Sequence, residues 1–198
     1  KWIAAVAEKV VPFMAVAYII GALALVVIHF ASLPAAFGAI FKFAFGIKAV
    51  AGAAAGIAIK QVITQGCKRG VFSNEAGLGS SVMVHSNSDV KEPVKQGMWG
   101  IFEVFADTII ICSLTAFVIL STGLVDLETG AMISTSTSTA LVSEAFSTVF
   151  GRFGSVFITI AIFLFAYSTT LGWSEYGSRA FEYLFGTKRV IIFRIIFV

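Results

Sequence analysis

The sequence predicts an all-α, polytopic membrane protein, and three observations carry that prediction. Of its 198 residues, 58% are hydrophobic and only 13% charged, and the mean hydropathy of +0.95 lies well outside the range of soluble domains. The apolar residues fall into runs of roughly the 20 positions that a helix needs to cross the hydrocarbon core. Twenty phenylalanines and 18 glycines suit lipid-facing and helix-facing surfaces respectively, because small residues let helices approach closely where lipid supplies no hydrophobic drive. The lipid bilayer is therefore the expected environment. A formal charge of +3 is too small to argue for a nucleic-acid partner.

Each element follows in chain order. Residues 10–29, "VVPFMAVAYIIGALALVVIH", form a first span. The aromatic stretch after it contains Pro34, Gly38 and Gly46 together with Lys42 and Lys48, and predicts a short interfacial helix over about 33–46. Residues 49–86 are long enough to cross, but Gly66, Gly70, Gly77 and Gly79 interrupt them and polar groups crowd the second half. This segment predicts a broken helix. Two small-xxx-small spacings, Gly52 to Gly56 and Gly66 to Gly70, suit close packing of its first half. The hydrophilic "SNSDVKEPVKQ" reads as a solvent loop with Pro93 opening the next helix.

Residues 96–122 form a third span, in which Glu103 and Asp107 lie four apart on one face. They could bond a neighbouring helix or sense ions, and with no basic residue near them in sequence the structural contact is the favoured reading. A polar outer loop follows, with the Ser/Thr tract from Ser134 to Thr139 solvated, then a short amphipathic helix over about 139–150. Residues 153–177 form a fourth span, "SRAFEYLFGTKR" faces water, and 190–198 begin a fifth. The whole chain, 1–198, reads as one transmembrane domain fragment. It starts at Lys1 and stops inside an apolar run, and the opening lacks a signal-peptide cleavage pattern.

Alternating ends set an orientation. One side carries Lys1, Lys9, Lys91, Lys95, Arg179, Lys188 and Arg189, the other Lys42, Lys48 and Arg152, so the richer side is expected to be cytoplasmic. Lys60, Lys68 and Arg69 fall in the broken helix, and Arg194 lies a turn into the last span.

The stretch "KRGVFSNEAGLGSS", residues 68–81, is the first candidate site. An ionisable residue at membrane depth costs roughly 2.5–3.5 kcal/mol on insertion scales, so Arg69 and Glu75 need a cavity or a partner. A helix interrupted in mid-bilayer brings two half-helix ends to one spot, where freed amides attract a carboxylate and freed carbonyls a cation. That arrangement suits a zwitterion and an ion. A packing hinge or a cytoplasmic loop would also use such glycines.

In "FAYSTTLGWSEYG", Ser168, Thr169 and Thr170 precede Trp173. Helical hydroxyls ordinarily bond their own i−4 carbonyl, yet three in a row put at least one on the bundle face, where hard oxygens suit a small cation. Trp173, one turn after Thr169, shares that surface. His29 and His85 read as span-end residues without a relay role. Cys67 and Cys112 lack metal-ligand or disulfide spacing and read as buried bystander thiols. No nucleophile and base stand at useful spacing, so an enzyme is not expected.

The motifs "GCKRGVFSNEAGLGSS", "KEPVKQG" and "FAYSTTLGWSEYGSRAFEYLFG" resemble the alanine or glycine:cation symporter family, in the family's order over essentially the whole chain. The resemblance implies a LeuT-like inverted-repeat bundle working by alternating access, with most of the second repeat present, a discontinuous helix, and the first repeat of the same polypeptide missing. It implies sodium-coupled uptake of a small neutral amino acid, alanine or glycine, across the cytoplasmic membrane, with Na⁺ as coupling ion and no other cofactor. By the same resemblance Phe72 is an aromatic lid, and Ser73, Asn74, Glu75 and Gly77 supply pocket backbone and polar groups. Ser168 and Thr169 are sodium ligands, Thr169 also borders the substrate, and Trp173 is the wall that limits side-chain size. After "GLGS" the family usually shows Ala-Pro and an "AHAAA" run, whereas this chain has "SVMVHSNSD", a departure beyond the pocket. A passive channel or a structural membrane subunit is the alternative expectation.

Overall fold

The computed structural model describes residues 2–45, 53–86 and 88–197. The expectations for Lys1, Gly46, Lys48, Gly52 and the start of the second span at 49 lie outside those residues. The described chain is helical: α1 (Trp2–Ile28), α2 (Leu33–Phe45), α3 (Ala53–Ser73), α4 (Ser80–His85), α5 (Pro93–Val104), α6 (Ser113–Ser121), α7 (Thr139–Phe185) and α8 (Val190–Phe197). Phe105–Cys112, between α5 and α6, winds as a π-helix, so Pro93–Ser121 forms one rod. Among the described residues, Lys9–Ile28, Pro93–Ser121 and Thr139–Phe185 contain helix long and apolar enough to cross a membrane. α3 has the length but carries Lys60, Gln61, Gln65, Lys68 and Arg69, and its passage through a bilayer would need polar neighbours or water.

Several helices outrun the apolar runs that predicted them. α1 begins at Trp2 instead of Val10, with Pro12 inside it. α5 starts at Pro93, whose missing N–H suits a first helical position, and Glu92 pairs with Lys95 at 3.1 Å. α7 continues past residue 177 to Phe185. Arg179 binds Glu175 at 3.0 Å and Glu182 at 3.6 Å, helical-spacing pairs that support this polar end.

The core lies where α1 meets α6 and α7. Tyr18, Ala22 and Leu25 pack with Val118, Leu141, Ala145, Phe146 and Ile158. The Tyr18 ring stacks on Phe146 with centroids 6.0 Å apart, and its hydroxyl lies 2.6 Å from Thr115 Oγ1. Burying that phenol is tolerable because the oxygen is paired. Phe13, Val27, Phe30 and Phe153 remain more than half exposed, an apolar surface suited to lipid or to further helices.

α7 is not one rod. Gly151 has φ 54° and ψ −139°, a conformation open to glycine, and there residues 139–150 turn against 152–185. Ser147 and Ser155 hydroxyls then meet at 2.6 Å across the bend. A Cβ at Gly154 would stand 2.5 Å from the Phe146 carbonyl oxygen and 3.2 Å from Phe150 Cβ. Gly154→Ala is therefore expected to destabilise the protein by about 1–3 kcal/mol through overpacking against backbone. A lowered thermal midpoint in detergent would register that loss, and an unchanged one would show that the bend relaxes freely.

The 122–138 loop is shaped by glycines at positive φ, Gly123 and Gly130, and by a bridge between Val125 and Met132. The Thr129 hydroxyl and then the Glu128 amide hold the Asp126 carboxyl below the usual carboxylate range. Lys42 of α2 donates to the Glu128 carbonyl at 3.3 Å, so α2 and this loop meet at one end of the bundle. Ser134 and Ser136, at the start of the Ser/Thr tract, act on Glu144 and hold its carboxyl low.

Candidate functional site

The break between α3 and α4 is built from a recognisable helix ending. The Ala76 amide donates to the Val71 carbonyl at 3.0 Å and the Glu75 amide to the Phe72 carbonyl at 3.3 Å, which together make a Schellman motif. Its left-handed position, normally a glycine, is occupied by Glu75 at φ 49°. A non-glycine residue there costs of order 1–3 kcal/mol unless its surroundings hold it. The Ser80 hydroxyl, at the start of α4, donates to the Glu75 carboxylate. Gly77 at φ 81° and Gly79 at φ 73° then carry the chain through the turn. Gly66 and Gly70, expected to interrupt the span, lie inside regular α3, since a glycine weakens a helix by only about 1 kcal/mol.

A cavity of about 880 Å³ opens on this break. Phe72, Ser73, Asn74 and Glu75 line it from α3 and the turn, Thr108 and Cys112 from the π segment, and Thr169 and Trp173 from α7. Arg69, one turn back on α3, adds a cation to the carboxylate of Glu75. Gly77 and Ser168, both expected in the site, are not on this wall. Gly77 lies instead in the turn itself, at φ 81°.

The α7 hydroxyls follow helical habit. Ser168 Oγ and Thr169 Oγ1 both donate to the Phe165 carbonyl at 2.9 Å, and Thr170 Oγ1 donates to Ala166 at 2.9 Å. Donation uses the proton and leaves oxygen lone pairs available. Of the three, Thr169 faces the cavity, with Trp173 one turn on.

Four partnerships were not foreseen. Ser73 Oγ donates to Asp107 Oδ2 at 2.7 Å, and Asn74 Nδ2 lies 3.2 Å from Thr108 Oγ1. His85 Nε2 lies 3.5 Å from Glu103 Oε2 while its Nδ1 meets Gln96 Nε2 at 2.7 Å. Glu103 thus has a basic partner, 18 residues back, and His85 ties α4 to α5 instead of standing alone at a span end. Both cysteines are free and exposed, which corrects the reading of them as buried: the π segment carrying Cys112 forms cavity wall, and Cys67 lies on an uncovered stretch of α3. Carboxylates at membrane depth were the available signal for Asp107 and Glu103; their partners were not legible.

Comparison with known proteins adds a consistent set of likenesses. The family described as sodium:alanine symporter matches residues 1–198. The chain is 40% identical over 189 residues to the sodium/alanine symporter AgcS of Methanococcus maripaludis, covering 96% of this chain and 40% of that protein. It is 35% identical over 197 residues to a sodium/proton-dependent alanine carrier protein of Bacillus sp. (strain PS3), covering 96% and 43%. A probable sodium/glutamine symporter GlnT of Bacillus subtilis is 36% identical over 196 residues, covering 98% and 39%. The chain spans about 40% of the length of the curated relatives it matches.

Proposed function

Since this chain belongs to the sodium:alanine symporter family, a family of transporters and not of enzymes, we propose that it is part of a sodium-coupled carrier for a small neutral amino acid, alanine or glycine, in the cytoplasmic membrane. The observation that carries this reading is the helix break at 74–79 opening on a cavity with Arg69 and Glu75 on its wall. One charge of each sign beside exposed turn backbone matches a zwitterion, and no covalent step is needed.

In this reading Ser73, Asn74 and Glu75 receive the charged end of the substrate. Phe72, whose side chain is 73% exposed, is free to move as a lid. Trp173 fills the side-chain end of the cavity and disfavours a residue as long as glutamine, the substrate named for one relative. Ser168 and Thr169 supply hard oxygens for Na⁺, the type of ligand a small cation prefers. A first repeat of the same polypeptide would cover α3, whose described side chains from Ile63 to Phe72 are exposed, and complete a LeuT-like inverted-repeat bundle. Alternating access then requires Na⁺ to bind one conformation better than the other. Moving an equilibrium from 1:99 to 99:1 takes about 5.5 kcal/mol of differential affinity.

The test is uptake of radiolabelled alanine by the complete transporter in proteoliposomes, driven by a sodium, choline or proton gradient. Saturable uptake is expected with sodium, with glycine competing better than glutamine. Non-saturable flux would indicate a channel, and uptake indifferent to sodium would overturn the coupling.

A further inference from the structure

The geometry points to Asp107 and Thr108 as a positioning pair that sets which atoms Ser73 and Asn74 present to the cavity; this inference rests on the cavity's being the amino-acid site. The last turn of α3 is exposed along its length, so its own helix does little to hold these two side chains in one orientation. What reaches them comes from the π segment. In a regular helix successive side chains diverge by about 100°, but i→i+5 winding widens the turn, and here two consecutive residues face two consecutive residues.

Each contact fixes a polarity. A carboxylate only accepts, so at 2.7 Å from Asp107 Oδ2 the Ser73 hydroxyl must donate to it. Its remaining capacity is as an acceptor, which suits an ammonium or a cation. Asp107 itself does not line the cavity and acts through Ser73. The Gly70 carbonyl also only accepts, so Asn74 turns its Nδ2 toward it at 3.0 Å. Thr108 Oγ1 lies 3.2 Å from Nδ2 and 3.4 Å from Oδ1, and holds the amide at both ends. Removing either partner frees a cavity-lining side chain without deleting a charged group of the cavity wall.

The experiment measures alanine uptake by the complete transporter in proteoliposomes for wild type, Asp107→Ala, Asp107→Asn, Ser73→Ala, the Ser73→Ala/Asp107→Ala double variant, Thr108→Val and Thr108→Ser. Asp107→Ala is expected to raise KM about tenfold with the maximal rate within about twofold, since the loss falls on substrate orientation. Because Asp107 works through Ser73, the double variant is expected to be no worse than the poorer single one. Thr108→Val raises KM about threefold and Thr108→Ser restores it, because one hydroxyl hydrogen bond is at stake. A KM for Asp107→Ala within about twofold of wild type, or additive losses in the double variant, would overturn the proposal. Asp107→Asn, whose amide oxygen can still accept from Ser73, is expected to keep KM within about twofold of wild type, and a roughly tenfold rise in it would overturn the hydrogen-bond account. Should Asp107→Ala fail to reconstitute, the Thr108 pair decides, a wild-type KM in Thr108→Val overturning the proposal. Absence of saturable sodium-driven uptake in wild type would instead remove the amino-acid reading of the cavity, and the positioning pair with it.

Discussion

The Gly77→Val transporter is expected to bind no measurable alanine while remaining folded. Gly77 sits at φ 81°, and a Cβ built there meets no atom within 4 Å, so the loss comes from backbone conformation and not from a clash. The left-handed region costs an ordinary residue of order 1–3 kcal/mol, and a β-branched side chain stands at the unfavourable end of that range. Glu75 tolerates a similar conformation because Ser80 holds its carboxylate; valine has nothing to hold it. The cheapest relief is for the turn to rewind, and that pulls Ser73 and Asn74 off the cavity wall. Gly38→Ala, in α2 with free space around it, is the control that should bind normally. Equilibrium binding of labelled alanine to purified protein in sodium separates the two, and retained affinity in Gly77→Val would mean that the turn does not shape the site.

Why some of this was legible in the sequence and some was not follows from the range of the interactions. Apolar runs report burial in lipid, a one-dimensional property, so the all-helical, multi-pass character and the long apolar helices were readable from composition and length. The end of α3 was harder. Glycine content pointed to the right neighbourhood but spread the interruption over Gly66 and Gly70, whereas the stop is made by a Schellman motif centred on Glu75, a residue type no pattern would place in left-handed backbone. The π segment was invisible for a different reason. Nothing in "FADTIIIC" favours wide winding locally, and its partners, Ser73 and Asn74, lie 34 residues away. The same holds for His85 with Glu103. Polar residues in an apolar chain announce that they need partners, but only the packed fold says which. For the cysteines the apolar context misled, because it did not reveal that Cys112 borders a cavity.

Thr169→Val is expected to raise the sodium concentration for half-maximal uptake by about tenfold, the order expected from losing roughly 1.4 kcal/mol at a single ligand. Valine matches threonine in shape, so packing around Trp173 survives and the change isolates one oxygen. In the structure that oxygen donates to the Phe165 carbonyl at 2.9 Å, as does Ser168 Oγ, so two hydroxyls converge on one carbonyl. Back-bonding alone would explain both, since helical hydroxyls do this without any ligand. A sodium role makes a further demand: with the ion saturating, the maximal rate of Thr169→Val should return near wild type, because the ion site is then filled again. Thr169→Ser should restore the original sodium curve by returning the oxygen, and Ser168→Ala should shift it less, since Ser168 is not on the cavity wall. A Thr169→Val sodium curve that overlays wild type would leave the hydroxyl a helix-bonding group and move the ion to other oxygens.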